Sequence, residues 1–328
     1  MTSRRDFITL LGGAAAAWPL AARAQQATMP VIGFLSGGSP NAFAHLVASF
    51  REGLSQTGYI EHRNVGIDYR WAEGRYELLP ALAADLVNRG VAVIASTGGP
   101  AVVEAAAAAT TTVPIVFLGS DVALKTGVLT SLNRPSGNVT GIVMSTGALL
   151  SKCLQFLSEL LPKDATIGVL LNPNTSSTSE DKEDIQSSAQ QIDRQIFIVT
   201  AGTETEIDTT FATLNERHTG GLVVQGDVLY TNRRDHLIAL AARYAIPTIY
   251  MWSEFTAAGG LISYGNSLAT GYRQVGAYVG QILHGAKPAD LPVMQPTHFK
   301  LTINLKAAQA LGLTISPTLL ILADEVIE

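Results

Sequence analysis

Asp121 and Asp227 each close a short apolar run, VPIVFLGSD (113–121) and GLVVQGD (221–227). A carboxylate so placed can pair with an amine, hydrogen-bond a hydroxyl, cap a helix or tie two parts of a fold together. Glu254, at the end of IPTIYMWSE (246–254), offers a second polar clamp. Trp252 and Tyr264 could present a flat apolar wall to a ring or chain, whereas Trp71 reads as packing or surface cover. Small donors stand in equivalent places: Ser36, Gly37, Ser39, Thr97, Ser120 and Asn172 all follow apolar runs. Together these residues suit recognition of a small polar molecule. Glycines allow close backbone approach, and helix N-termini present free N–H groups to an anion such as a carboxylate. The same serines and glycines would also serve simply as helix caps and turns.

No pattern for bond-making chemistry accompanies them. Gly33-x-x-x-Gly37-Gly38 lacks the spacing of a dinucleotide fingerprint, and neither a phosphate loop nor a G-x-S-x-G elbow occurs. The six histidines, at 45, 62, 218, 236, 284 and 298, lack metal-ligand spacing, so neither metal nor cofactor is expected. Cys153 is the only cysteine and lies in an apolar helical stretch, which suits a buried small hydrophobe. Two-lobed racemases need paired cysteines across a cleft, and one cysteine cannot supply them.

The elements that must position these residues come in two sets. VIGFLS (31–36), VAVIAST (91–97) and VPIVFLGSD are echoed by TIGVLLN (166–172), GLVVQGD and IPTIYMWSE. Taking Ile32, Ile94 and Ile115 against Ile167, Val223 and Ile249, the spacings are 62 and 21 residues, then 56 and 26. A repeat of about 130 residues is too long for a solenoid. It predicts two similar α/β lobes whose strand ends face each other across a cleft. Helical patterns alternate with the runs, at 42–57 after the start signal Ser39-Pro40-Asn41, about 75–89, 100–110, about 178–192, 204–217 and 231–244. Near-continuous apolar strands joined by helices imply parallel sheets covered on both faces.

Segment 137–150 is expected to cross between lobes, with a second crossing at Ser263-Tyr264-Gly265 and a third at 296–303. The helix at about 268–284 would then pack back on the first lobe. The N-terminal lobe would comprise 29–142 plus about 268–295, and the C-terminal lobe and hinge return 143–264 plus about 296–328. Asn304 is expected to cap a short helix closed by Gly312, and Ser316-Pro317 to start a last one.

Residues 1–24 read as an export signal. Arg4 and Arg5 precede an apolar stretch from Ile8 to Leu20, and Ala22-Arg23-Ala24 matches a signal-peptidase site. The paired arginines look like a twin-arginine address, so the mature chain is expected to begin at Gln25 in a periplasm. No cysteine follows to carry a lipid. Removing Arg4, Arg5, Arg23 and Asp6 takes 22 basic and 27 acidic residues to 19 and 26, a net charge of −7. An acidic chain without basic runs is a poor partner for nucleic acid or anionic membrane.

The stretches GLSQTGYIEHRNVGIDYRWAEGR (53–75), PIVFLGSDVALKTGVLTSLNRPSGNVTG (114–141), GGLISYGNS (259–267) and FKLTINLKAAQALGL (299–313) carry a further meaning. With them, 29–328 resembles the exported substrate-binding proteins of ABC transporters, in the subgroup with the type I periplasmic-binding fold and tryptophan-binding relatives. The resemblance implies a monomer that captures a small molecule between lobes and delivers it to an ABC permease in the inner membrane, without catalysis. A periplasmic sensor subunit or an enzyme on the same fold are the alternatives. Leu118-Gly119-Ser120-Asp121 stands where relatives vary, so the family's ligands do not carry over.

Overall fold

The computed structural model describes residues 29–120, 131, 133, 135, 137–144, 147–295 and 298–328. The export signal and Asp121 lie outside these residues.

The first lobe runs β1 (Val31–Ser36), α1 (Ala44–Ser55), β2 (Gly66–Trp71), α2 (Leu79–Asn88), β3 (Val93–Thr97), α3 (Pro100–Ala109), β4 (Ile115–Gly119) and β5 (Val139–Val143). Its strands form a parallel sheet in the order β2-β1-β3-β4-β5. The second lobe follows with α4 (Gly147–Leu160), β6 (Ile167–Leu171), α5 (Thr178–Gln191), β7 (Ile196–Thr200), α6 (Glu204–Glu216), β8 (Gly221–Val224), α7 (Val228–Asn232), α8 (Arg234–Arg243), β9 (Thr248–Tyr250), α9 (Ser253–Ala257) and β10 (Ile262–Gly265). Then come α10 (Leu268–Leu283), β11 (Lys300–Asn304), α11 (Leu305–Ala310), α12 (Pro317–Leu322) and β12 (Glu325–Ile327). The second sheet reads β12-β11-β10-β9-β8-β6-β7.

Strands β7-β6-β8-β9-β10 repeat the order of β2-β1-β3-β4-β5. Four of the six residues that aligned the two halves are register partners: Ile94 lies beside Ile115, and Val223 beside Ile249. Central strands β3, β4, β6 and β8 are buried throughout, because helices cover both sheet faces. Alternate residues feed different layers. Phe34 and Val116 join a core that continues into the second lobe, while Leu35 and Phe117 point into a separate core on the other face.

The chain passes between the sheets three times. After β5 it enters α4, which packs on β8, β9 and β10. After β10 it enters α10, which packs on α1 and on β3, β4 and β5. Gly53 and Gly276 make that helix pair possible, since a Cβ on either would collide with the carbonyl of Arg273 or Phe50 respectively. Finally Met294 is laced to β5, donating from its amide to Gly141 O (2.9 Å) and accepting from Val143 N (2.8 Å). The chain then joins the second sheet as β11, antiparallel to β10.

Four local features differ from the sequence expectations. Val139–Val143 is a sheet strand before it is a crossing, and Glu325–Ile327 adds an edge strand. The helix expected at 231–244 begins at Val228 and breaks at Arg233, because Asp227 caps it early. Ser39-Pro40-Asn41 forms a turn rather than a cap: α1 starts after Phe43 without a side-chain cap, and Ser39 bonds elsewhere. Asn304 and Ser316 cap α11 and α12 through Ala307 N and Leu319 N.

Candidate functional site

The first lobe contributes a wall of small, uncharged donors at the carboxyl ends of its strands. Ser36, Thr97 and Leu118 are register neighbours and therefore share a sheet face. Ser36 Oγ accepts from Gly38 N (3.1 Å), and Gly37 N donates to Thr97 O (3.2 Å). Gly37 and Gly98 approach so closely that a Cβ at 37 would sit 2.8 Å from Gly98 O. Gly98 (φ 96°) and Gly99 (φ 104°) adopt left-handed backbone, which turns the chain into α3 with Pro100 at its first position. Thr97 Oγ1 and Ser120 Oγ are buried and have no hydrogen-bond partner among the described residues. The hydroxyl of Tyr272, one turn into α10, is in the same condition. Burial raises its pKa, and the nearby Thr97 and Ser36 hydroxyls oppose that rise.

The second lobe contributes a carboxylate and an indole. Asp227 caps α7 through Leu229 N (2.8 Å) and accepts from Asn172 Nδ2 (2.8 Å) on the same oxygen. Its Oδ2 accepts from Tyr76 OH, at 3.3 Å, and the Val228 amide adds a further backbone bond to the carboxylate. Burial raises the Asp227 pKa; the bonds from Asn172, Leu229 and Tyr76 oppose it. Asn172 is fixed in turn, its amide N–H donating to Gln225 Oε1 (2.8 Å) and its Oδ1 accepting from Asn174 N (3.0 Å). The Trp252 indole lies flat on Gly226, where a Cβ would meet Trp252 Cζ2 at 2.7 Å.

Between the lobes these residues line an open-mouthed cavity. Gly98, Gly99, Ser120 and Tyr272 line it from one side, and Asp227 and Trp252 from the other. Phe43, Leu118, Met144 and Leu268 supply apolar surface. Outside the cavity the lobes touch directly. Ser39 donates from N and Oγ to Asn232 Oδ1 (both 3.1 Å), Ser176 Oγ bonds Glu104 Oε1 (3.3 Å), and Tyr76 reaches Asp227.

Of the residues singled out from sequence, Ser120, Asp227 and Trp252 line the cavity, and Ser36, Gly37, Thr97 and Asn172 support its walls. Two lie elsewhere. Tyr264 packs its ring against Phe156 (4.9 Å) and Phe299 (6.0 Å), because β10 turns it toward α4 and the chain entering β11. Glu254 is not among the cavity's lining residues. Its carboxylate sits at the start of α10, where burial raises its pKa and the Ala269 amide opposes the rise, and Oε2 has no partner among the described residues. Trp71 stacks on Tyr69 and tilts against Phe34, as a packing residue. Cys153 is fully buried beneath the second sheet, its Sγ 3.5 Å from Tyr264 O. Sequence patterns gave no sign of Tyr272 or Tyr76. The only available signal was that the returning helix would bring its first turn to the crossing. Among the described residues no three His, Cys, Asp or Glu side chains cluster to hold a metal.

The sequence profile of the family described as ABC transporter substrate binding protein matches residues 29–327. A tyrosine-binding protein of Clostridioides difficile (strain R20291) is 23% identical over 264 residues, covering 80% of this chain and 75% of that one. A Streptococcus pneumoniae ABC domain solved in complex with L-Trp superposes with a TM-score of 0.82 at 24% identity, over 92% of this chain and all of that one. A conserved domain protein from Vibrio cholerae gives 0.83 at 23% identity, over 91% and 100%. At such identities the structural likeness establishes the fold, two parallel-sheet lobes in the type I periplasmic-binding arrangement.

Proposed function

This chain belongs to the family of ABC transporter substrate-binding proteins, and from that premise we propose that it is exported, captures a small carboxylate with an apolar or aromatic body, and delivers it to an inner-membrane ABC permease. The observation that carries the proposal is the cavity itself, lined from both lobes at the carboxyl ends of their strands. The hydroxyls of Thr97, Ser120 and Tyr272, unpartnered among the described residues and beside the start of α3, favour an anion there. Phe43, Leu118, Met144 and Trp252 favour an apolar or ring-bearing remainder. The ligands named for two relatives, tyrosine and L-Trp, are carboxylates of this kind. No helix among the described residues is long and apolar enough to cross a membrane.

In this reading the moving units are 29–142 with about 268–295, and 143–264 with about 296–328. Ligand docks on one lobe, the other rotates onto it, and contacts from both hold the closed form that the permease engages. A micromolar affinity needs about 8 kcal/mol net. A few charge-assisted hydrogen bonds and one buried apolar group in a preorganised cleft can supply it.

A thermal-shift screen of the mature chain against a broad metabolite library tests this, alongside mass spectrometry of whatever co-purifies from the native host. Stabilisation by one or more apolar or aromatic carboxylates is expected. Absence of any ligand-dependent shift would sink the proposal.

A further inference from the structure

Asp181, on the first turn of α5, is buried and does not line the cavity, yet it is bonded toward the cavity in two directions. Its Oδ2 accepts from Ser177 Oγ (2.9 Å) and from Gln225 Nε2. Ser177 lines the cavity, and its neighbour Ser176 reaches Glu104 of the first lobe. Gln225 passes the other bond on. Its Oε1 accepts from Asn172 N (2.8 Å), and Asn172 Nδ2 donates to Asp227 Oδ1 (2.8 Å). Asp227 lines the cavity and meets Tyr76 of the first lobe. The loops that follow β6 and β8 are thus tied together behind the wall they present.

The relay runs in one direction only. Asn172 N–H can only donate, so Gln225 must turn Oε1 to it, and Nε2 then needs an acceptor on its far side. Asp181 Oδ2 is that acceptor. The charged side chains that bear on Asp181, Glu180 and Asp184, are acidic as well. A buried carboxyl without a cation contributes little that apolar packing would not match. What it supplies here is aim.

We infer that Asp181 is a positioning residue for the cavity: through Gln225 and Asn172 it aims the Asp227 carboxylate, and through Ser177 it holds the neighbouring loop. Its use rests on the cavity being the binding site, as proposed above. The relay itself can be tested without any ligand, so the two readings fail separately.

Carbon-13 NMR of the Asp227 carboxyl against pH, in the full chain labelled at aspartate, provides the test, with Asp227→Asn identifying the resonance. Burial raises the Asp227 midpoint and the Asn172 bond opposes that rise. Asp181→Leu removes the acceptor, frees Gln225 and loosens Asn172. Asp181→Asn removes the same charge but keeps an accepting oxygen. The Asp227 midpoint should therefore lie about one pH unit higher in Asp181→Leu than in Asp181→Asn. In an Asn172→Ala background that difference should vanish, because the relay acts through the Asn172 side chain. Where Asp181→Leu does not fold, Gln225→Met, of similar length, cuts the relay one link nearer and should raise the midpoint alike. In wild type alone, the Asn172 amide resonance should follow the Asp181 titration.

Equal Asp227 midpoints in Asp181→Leu and Asp181→Asn overturn the inference. So does a difference that persists without the Asn172 side chain, which would mark a general loosening of the lobe. An Asn172 amide that ignores Asp181 in wild type overturns it whether or not any variant folds. None of these results bears on which molecule the cavity takes.

Discussion

Gly226 and Trp252 show how little room one atom has at this cavity. The indole occupies the space a side chain at 226 would fill, with Cζ2 only 2.7 Å from an added Cβ. Gly226→Ala should push the ring toward the cavity, weakening any ligand found in the screen by roughly tenfold and costing about 1–3 kcal/mol of stability. Titration calorimetry and denaturant unfolding read the two effects separately. Asp181 gives a residue-scale prediction of another kind. It is buried beside Ser177 and Gln225, and burial raises its pKa above the ordinary 3.8. Its contribution to stability is therefore complete below about pH 3.8 and is lost as pH rises through the folded value. The stability of Asp181→Asn relative to wild type should improve from about pH 4 toward neutrality; a flat difference across that range would contradict the assignment. Residue roles were the least legible part of the sequence. Ends of apolar runs pointed to Ser120, Asp227 and Trp252, because strand ends in a parallel sheet converge on one rim. Tyr264 also ends a run, but its strand turns it onto Phe156 and Phe299, a choice set by tertiary packing alone. Tyr272 sits inside an amphipathic helix, where nothing in the pattern separates it from ordinary core.

At the scale of elements, α1 and α10 are joined backbone to backbone through Gly53 and Gly276. Small residues allow that approach, and no rotamer change relieves a clash with a carbonyl oxygen. Gly276→Ala should lose about 1–3 kcal/mol, or more, in chemical denaturation, although alanine has the higher helix propensity. A gain in stability would show that the helices can separate freely. Elements were mostly legible for a physical reason. Strands buried on both faces write themselves as unbroken apolar runs, and helices announce their ends through caps such as Asn304 and Ser316. Where the signal failed, a distant partner had intervened. Ser39 looks like a helix start but is taken up by Asn232, 193 residues away. Val139–Val143 contains Thr140 and Gly141, so its apolar run is too broken to stand out before β4 pairs with it.

For the whole molecule, under the proposed hinge closure, the bonds between lobes would set how much of the population is closed. Tyr76 OH to Asp227 is one such bond and Ser39 to Asn232 another. Tyr76→Phe should weaken binding of a screened ligand by roughly tenfold, by lowering the closed fraction and loosening Asp227. The unfolding free energy of the ligand-free chain should change much less, and small-angle scattering should show a larger unliganded radius. An unchanged affinity would mean that closure does not depend on this contact. The three crossings also constrain what closure can be. Met294 is bonded to the strand of the first crossing at one end, and Lys300 pairs with Gly265 of the second crossing at the other. The third strip is thus pinned to the first on the first-lobe side and to the second on the second-lobe side. Sliding or twisting one lobe against the other would shear those pins, whereas bending leaves them in register. Bending is therefore the motion that disturbs these pairings least. A permease that meets this protein would then gauge mainly how far the hinge has bent, whichever molecule the cavity holds.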